Sequence, residues 1–175
     1  MSLLMKRKSV RKFTNQVIEQ KKITEILKSA FQAPSAKNQQ PWEFIVVDDK
    51  ELLLKLSTIS KGAHPLSVCD KAIVPIFKQT LKSPHFVIED MSSCTTNILL
   101  EAVNQGLGAV WIGVYPLEDR TSLTNEILKI KEPFNAFSII ALGYEDGFKE
   151  VTKRYDESKV HHNQKIAWTT RSRNR

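Results

Sequence analysis

The stretch Thr95–Gly113, TTNILLEAVNQGLGAVWIG, decides the fold, because it runs from a helix through Gly106 and Gly108 into a buried strand. Upstream of it, Val87, Met91, Cys94, Ile98 and Ala102 recur at steps of three and four, which predicts a helix from about Val87 to Gln105. Gly106 is placed to cap that helix. Ala109 to Tyr115 then forms an apolar run without polar alternation, as expected of a strand covered on both faces. Such a strand needs helices above and below it.

Working outward, Ile23, Ile26, Leu27, Ala30 and Phe31 mark one face of a helix that should stop at Pro34. Glu43 to Val47 is rich in strand formers and ends at Asp48 and Asp49. A second helix is expected over Lys50 to Ser60, followed by a loop with Gly62, His64 and Pro65. The next strand covers Ala72 to Phe77, although Pro75 weakens it. A helix near Leu117 to Ile130, with Leu123, Ile127 and Leu128 on one side, precedes a last strand at Phe137 to Gly143. The order predicts an α+β fold with three α/β/α layers. With 175 residues and 41% apolar content, one core is expected. We place a single domain at 1–164 and a mobile basic tail at 165–175.

The net charge of +7 is concentrated at the ends, in Lys6, Arg7, Lys8, Arg11 and Lys12, and again in Lys165, Arg171, Arg173 and Arg175. Charge of this sign suits nucleic acid, an anionic membrane or an anionic small ligand, and by itself does not choose among them. Cys69 and Cys94 form no CxxC pair and no secretory h-region follows the first methionines, so a reducing cytoplasm is expected. No apolar run approaches the roughly 20 residues of a membrane-spanning helix. His64, His85, His161 and His162 show no HExxH spacing, and no metal site is expected. Cys94 falls on the apolar face of its helix as a core residue, and Glu89 and Asp90 read either as paired carboxylates for acid–base work or, more plainly, as the acidic start of that helix.

Three segments carry candidate chemistry. Arg7, Ser9 and Arg11 share one side of an extended chain, so two guanidinium forks and a hydroxyl would converge as a phosphate requires. A solvated basic arm has the same composition. Pro34, Ser35, Asn38, Gln40, Pro41 and Trp42 form a polar loop pinned by prolines, in which Asn38 offers both donor and acceptor; a plain helix stop and turn reads the same way. Gly113, after Ile112, would let a flat ligand approach the main chain, or serve only sheet packing. The glycine spacing here is not that of a GxGxxG phosphate loop.

Taken in order, RKSVRKF (Arg7–Phe13), APSAKNQQPWEFIVV (Ala33–Val47), TTNILLEAVNQGLGAVWIG and RYDESKVH (Arg154–His161) resemble the nitroreductase family over roughly Lys6 to His162. The resemblance implies a central, mostly antiparallel sheet flanked by helices, and FMN shared across a homodimer. It implies that Arg7, Ser9 and Arg11 bind the FMN phosphate and ribityl chain, joined by Lys153 and Arg154. It further implies that Pro34, Ser35 and Asn38 reach the flavin from the opposite subunit, while Ile112 and Gly113 lie along its ring. The helix from Val87 to Gln105 is the expected centre of the dimer, with more apolar surface than one chain covers. The implied activity is a ping-pong transfer of electrons from NADH or NADPH to a small electron-poor acceptor such as a nitroaromatic or quinone. The flavin carries the redox chemistry, so no side chain need act as acid or base. Two other readings compete: a flavin-binding sensor without turnover, and a basic nucleic-acid-binding protein, for which no recognition module is visible.

Overall fold

The computed structural model describes residues 2–79, 81–147 and 150–163. The basic tail at 165–175 lies outside the described residues. In chain order the helices are α1 (Leu3–Lys6), α2 (Gln20–Phe31), α3 (Lys50–Leu56), α4 (Val87–Asn104) and α5 (Glu118–Leu128). The strands are β1 (Trp42–Val47), β2 (Lys71–Lys78), β3 (Gly108–Gly113), β4 (Phe134–Ala136) and β5 (Ser138–Gly143).

The strands form one antiparallel sheet in the order β1-β2-β5-β3, with β4 also paired to β2. Strand alternation divides its side chains between two cores. Ile73, Phe77, Ala109, Ile140 and Leu142 face α2 and α4, where they meet Ile23, Ile26, Met91, Cys94 and Ile98. Ala72, Val74, Ile76, Val110, Ile112, Ile139 and Ala141 face the other way, against Leu53, Leu56, Leu66 and α5. Every residue of β5 is buried. The three-layer α/β/α expectation is therefore met.

Several expectations need correction in detail. The helix expected to reach Ser60 ends at Leu56, where Ser57 Oγ donates to the Leu54 carbonyl (2.7 Å) and Thr58 Oγ1 to that of Lys55 (2.8 Å). Side chains that take the last carbonyls compete with continuation of the helix. Pro75 sits inside a central strand because the ladder opens there: β5 pairs with Lys71–Ile73 and β4 with Ile76–Lys78. The Pro75 carbonyl accepts from Phe137 N at 2.9 Å, so its ring nitrogen faces this junction, where no ladder donor is required. The short strand β4 was not expected at all. On α5 the buried residue is Thr124, beside half-buried Ile127 and Leu128, whereas Leu123 is 38% exposed. Phe31 is 53% exposed at the end of α2, edge-on to Phe44 with ring centroids 5.0 Å apart.

Helix α4 packs into the chain along one face and keeps part of its apolar surface uncovered. Val87, Met91, Cys94, Ile98, Leu99 and Ala102 are buried within the single chain, mostly by α2 and the sheet. Its apolar face is thus largely covered without a partner, leaving Ile88 exposed and Leu100 and Val103 half-buried. Among the described residues no helix is long and apolar enough to cross a membrane.

Candidate functional site

The N-terminal segment after α1 lies along the free edge of β3 and then crosses to the end of β5. Ser9 bridges Ala109, and Val10 N donates to the Ala109 carbonyl at 2.9 Å. Further on, Thr14 N donates to the Tyr144 carbonyl at 2.9 Å and Asp146 N to that of Lys12 at 3.1 Å. Two glycines make room for this arm. A methyl group on Gly108 would stand 2.7 Å from Val10 Cγ1, and one on Gly143 would stand 2.6 Å from the Phe13 ring. Neither glycine was singled out in the sequence for this role, since nothing local says which segment will lie on it.

With Val10 and Phe13 turned into the core, Arg7, Ser9 and Arg11 line one cavity of about 160 Å³. Arg154 lines it from the C-terminal segment, with Thr152, Val151 and Glu150. Lys153, one residue away, is exposed and is not among the lining residues. Lys8 forms an ion pair with Glu145 at 2.9 Å, which pins the arm in place. Three guanidinium groups against one carboxylate make a site suited to an anion with several acceptor oxygens. A larger hollow of about 390 Å³, lined by Ser9–Lys12 and Glu145–Gly147, adjoins it.

Gly113 ends β3 at the far end from Ala109, four residues or roughly 13 Å along the strand. Antiparallel pairing alternates the direction of main-chain groups, and Val10 takes the Ala109 carbonyl from outside the sheet. The groups of Trp111 and Gly113 therefore also point outward. Arg120 Nη1 donates to the Gly113 carbonyl at 3.1 Å, in agreement with that direction. Gly113 is exposed, and a methyl group there would meet nothing within 4 Å. The Ile112 side chain, by contrast, is buried in the core toward α5, so only its main chain could lie along a ligand.

The loop between α2 and β1 is the third part. Lys37, Asn38 and Gln40 have φ of 51°, 51° and 45°. The left-handed region costs an ordinary side chain about 1–2 kcal/mol, less for asparagine, so this conformation must be imposed from outside. Asp90, only 4% exposed on the first turn of α4, accepts from Ala36 N at 2.7 Å and from Gln39 Nε2 at 2.6 Å. Gln39 also exchanges hydrogen bonds with the main chain of Ser83, at 3.0 and 3.1 Å. Asp90 thus stands in the acidic first turn of α4, as expected from its position, and is in addition a clamp on the loop. Its signal was invisible in sequence because the partners lie more than fifty residues away.

Inside the loop, Ser35 Oγ accepts from Gln40 N and Asn38 Oδ1 from Gln40 Nε2. Gln40 takes one acceptor site on each oxygen, and the Asn38 amide and the Ser35 hydroxyl donate to no group among the described residues, so both keep a donor for a ligand. Pro34 stands exposed beside them. This loop adjoins β1, at the opposite edge of the sheet from β3, three strand spacings or roughly 14 Å away. Within one chain it is not brought to the cavity at Arg7 and Arg11.

Cys69 and Cys94 are buried, and loss of hydration pushes their thiols up to about 11 and about 12. Thiols so raised are poor nucleophiles at neutral pH, consistent with Cys94 as a core residue.

Comparison with known proteins bears on the whole chain. The model of the nitroreductase family matches residues 4–68 and 69–144. A protein of Archaeoglobus fulgidus named for NADH dehydrogenase and NAD(P)H nitroreductase activity is 39% identical over 166 residues, covering 92% of this chain and 95% of the relative. The solved structure of a protein of Clostridium acetobutylicum named for NADH oxidase activity superposes with a TM-score of 0.91 at 37% identity, over 94% of this chain and 100% of that one. An FMN-dependent nitroreductase of Clostridium difficile superposes with a TM-score of 0.86 at 36% identity, over 93% and 98% of the two chains. With four motifs in order, an antiparallel sheet between two helical layers and matches over nearly its whole length, the chain is an oxidoreductase that belongs to the nitroreductase family.

Proposed function

We propose that this chain is a cytoplasmic, FMN-dependent oxidoreductase that works as a homodimer and passes electrons from NADH or NADPH to a small electron-poor acceptor, such as a nitroaromatic or quinone, in a ping-pong cycle. The observation that carries the reading is the cavity in which Arg7, Ser9, Arg11 and Arg154 converge beside the free edge of β3. An anion held there has an open, donor-bearing strand leading away from it toward Gly113.

Bound FMN would supply the hydride and electron chemistry. The residues of this chain would supply binding and orientation. Arg7, Arg11 and Arg154 would take the phosphate through charge-assisted bonds and Ser9 would add a hydroxyl donor. Lys153 would contribute only longer-range charge. The main chain at Ile112 and Gly113 would lie along the ring, where Gly113 leaves room for a flat group and directs its N–H outward. Pro34, Ser35 and Asn38 of the partner subunit would approach the ring, since in their own chain they stand at the opposite sheet edge.

The decisive test is the visible absorbance of the purified protein with added FMN, followed by NADH or NADPH without oxygen. A bound-flavin spectrum that bleaches with the nicotinamide is the expected result. Absence of flavin binding by a verified dimer would overturn the assignment of the cavity. Steady-state oxidation of the nicotinamide with a quinone or nitroarene then distinguishes an enzyme from a sensor that only binds flavin.

A further inference from the structure

Asp90 has no role in the proposed chemistry, yet it is a buried carboxylate whose two oxygens are each used by the same loop. One oxygen holds Ala36 N and the other holds Gln39 Nε2, so the two ends of the short helical turn Ala36–Asn38 are fixed to α4. Gln39 carries the connection on to Ser83, just before α4 begins. Between these anchors lie Lys37 and Asn38, both left-handed, followed by left-handed Gln40. In that conformation Gln40 donates to Ser35 Oγ and Asn38 Oδ1, while the Ser35 hydroxyl and Asn38 amide donate to no group among the described residues.

We propose that Asp90 is a positioning residue for flavin: by imposing the loop conformation from beneath, it sets the donors of Ser35 and Asn38 where they meet the acceptor oxygens of the ring. This inference rests on the function proposed above. A neutral amide at position 90 has one oxygen for two loop donors, so one of them must face an NH₂ group. The loop then relaxes out of its left-handed geometry and the donors of Ser35 and Asn38 move. Asp90 acts on the ring end of the ligand only, because the phosphate cavity is built from the arm, Arg154 and their neighbours.

The test compares FMN with riboflavin, which has the ring but no phosphate. For the full-length protein, Asp90→Asn is expected to raise the dissociation constants of both flavins by a similar factor of ten or more and to alter the visible circular dichroism of bound flavin. Dissociation constants within twofold of wild type and an unchanged dichroism spectrum would overturn the inference, as would a loss confined to FMN. Should far-ultraviolet dichroism show that Asp90→Asn does not fold, Gln39→Met removes the clamp from the half-exposed side and is read by the same outcomes. Failure of the wild-type protein to bind either flavin would instead overturn the functional reading on which this rests.

Discussion

Gly143 shows how a single missing side chain places a site. Phe13 lies over it so closely that a methyl group would stand 2.6–2.9 Å from three Phe13 carbons, and Phe13 is itself buried. Gly143→Ala is expected to cost about 1–3 kcal/mol in urea unfolding, the usual effect of overpacking, and to weaken FMN binding because the displaced segment carries Arg11. Unchanged stability would show that Phe13 has somewhere else to go. Arg11 is exposed and borders the cavity it shares with Arg7 and Arg154, so Arg11→Ala should leave the fold intact. One charge-assisted hydrogen bond is worth about 1.5–3 kcal/mol, or roughly tenfold to a hundredfold in affinity. That loss should appear for FMN and not for riboflavin, and an equal loss for both would remove Arg11 from the phosphate. That Arg7, Ser9 and Arg11 share one side was legible from spacing, because an extended chain puts alternate residues on one side, but spacing left a solvated basic arm open and only the family resemblance pointed to a phosphate. Arg154 was legible only through family resemblance, and the distinction between it and Lys153 needed the fold.

At the scale of elements, α2 is tied to the segment after β5 by a short polar chain. Lys22 Nζ donates to Tyr144 Oη at 2.7 Å, and Tyr144 donates to Glu19 Oε2 at 2.6 Å. The Tyr144 hydroxyl holds the Glu19 carboxyl below its ordinary range and the Lys22 ammonium above its own. For Glu19 the contribution is complete above the ordinary carboxylate range and is lost as pH falls through the lowered value. For Lys22 it is complete below the ordinary lysine range and is lost as pH rises through the raised value. Tyr144→Phe should therefore lower stability across the neutral range and flatten its decline at both the acid and the alkaline ends, as read from urea midpoints against pH. A variant curve parallel to wild type would show that Tyr144 contributes packing alone. Periodicity located α2, α4 and α5 because each buries one stripe. It misassigned Leu123, since a count of apolar residues passes over a buried threonine, and it missed β4, whose three residues are too few to show a pattern.

For the whole molecule, the two halves of the candidate site lie at opposite edges of one sheet, and the proposed function needs a second chain to bring them together. Exposed Leu4, Met5, Phe86, Ile88 and Tyr155 are available to such an interface, whereas most of the apolar face of α4 is already covered. Sedimentation velocity at micromolar concentration is expected to give twice the mass of one chain. A monomer that binds FMN as tightly as the bulk sample would contradict a site shared between subunits. The sequence by itself determined the layered architecture, because uninterrupted apolar strands must be covered on both faces, and it determined the arginine arm, because strand geometry fixes which side chains share a side. Only the tertiary structure decided how that arm is seated on Gly108 and Gly143, that Asp90 clamps a loop as well as standing at the start of its helix, and that Gly113 opens onto a free edge. Those are contacts between segments dozens of residues apart, and local propensity carries no information about which distant surface a residue will meet.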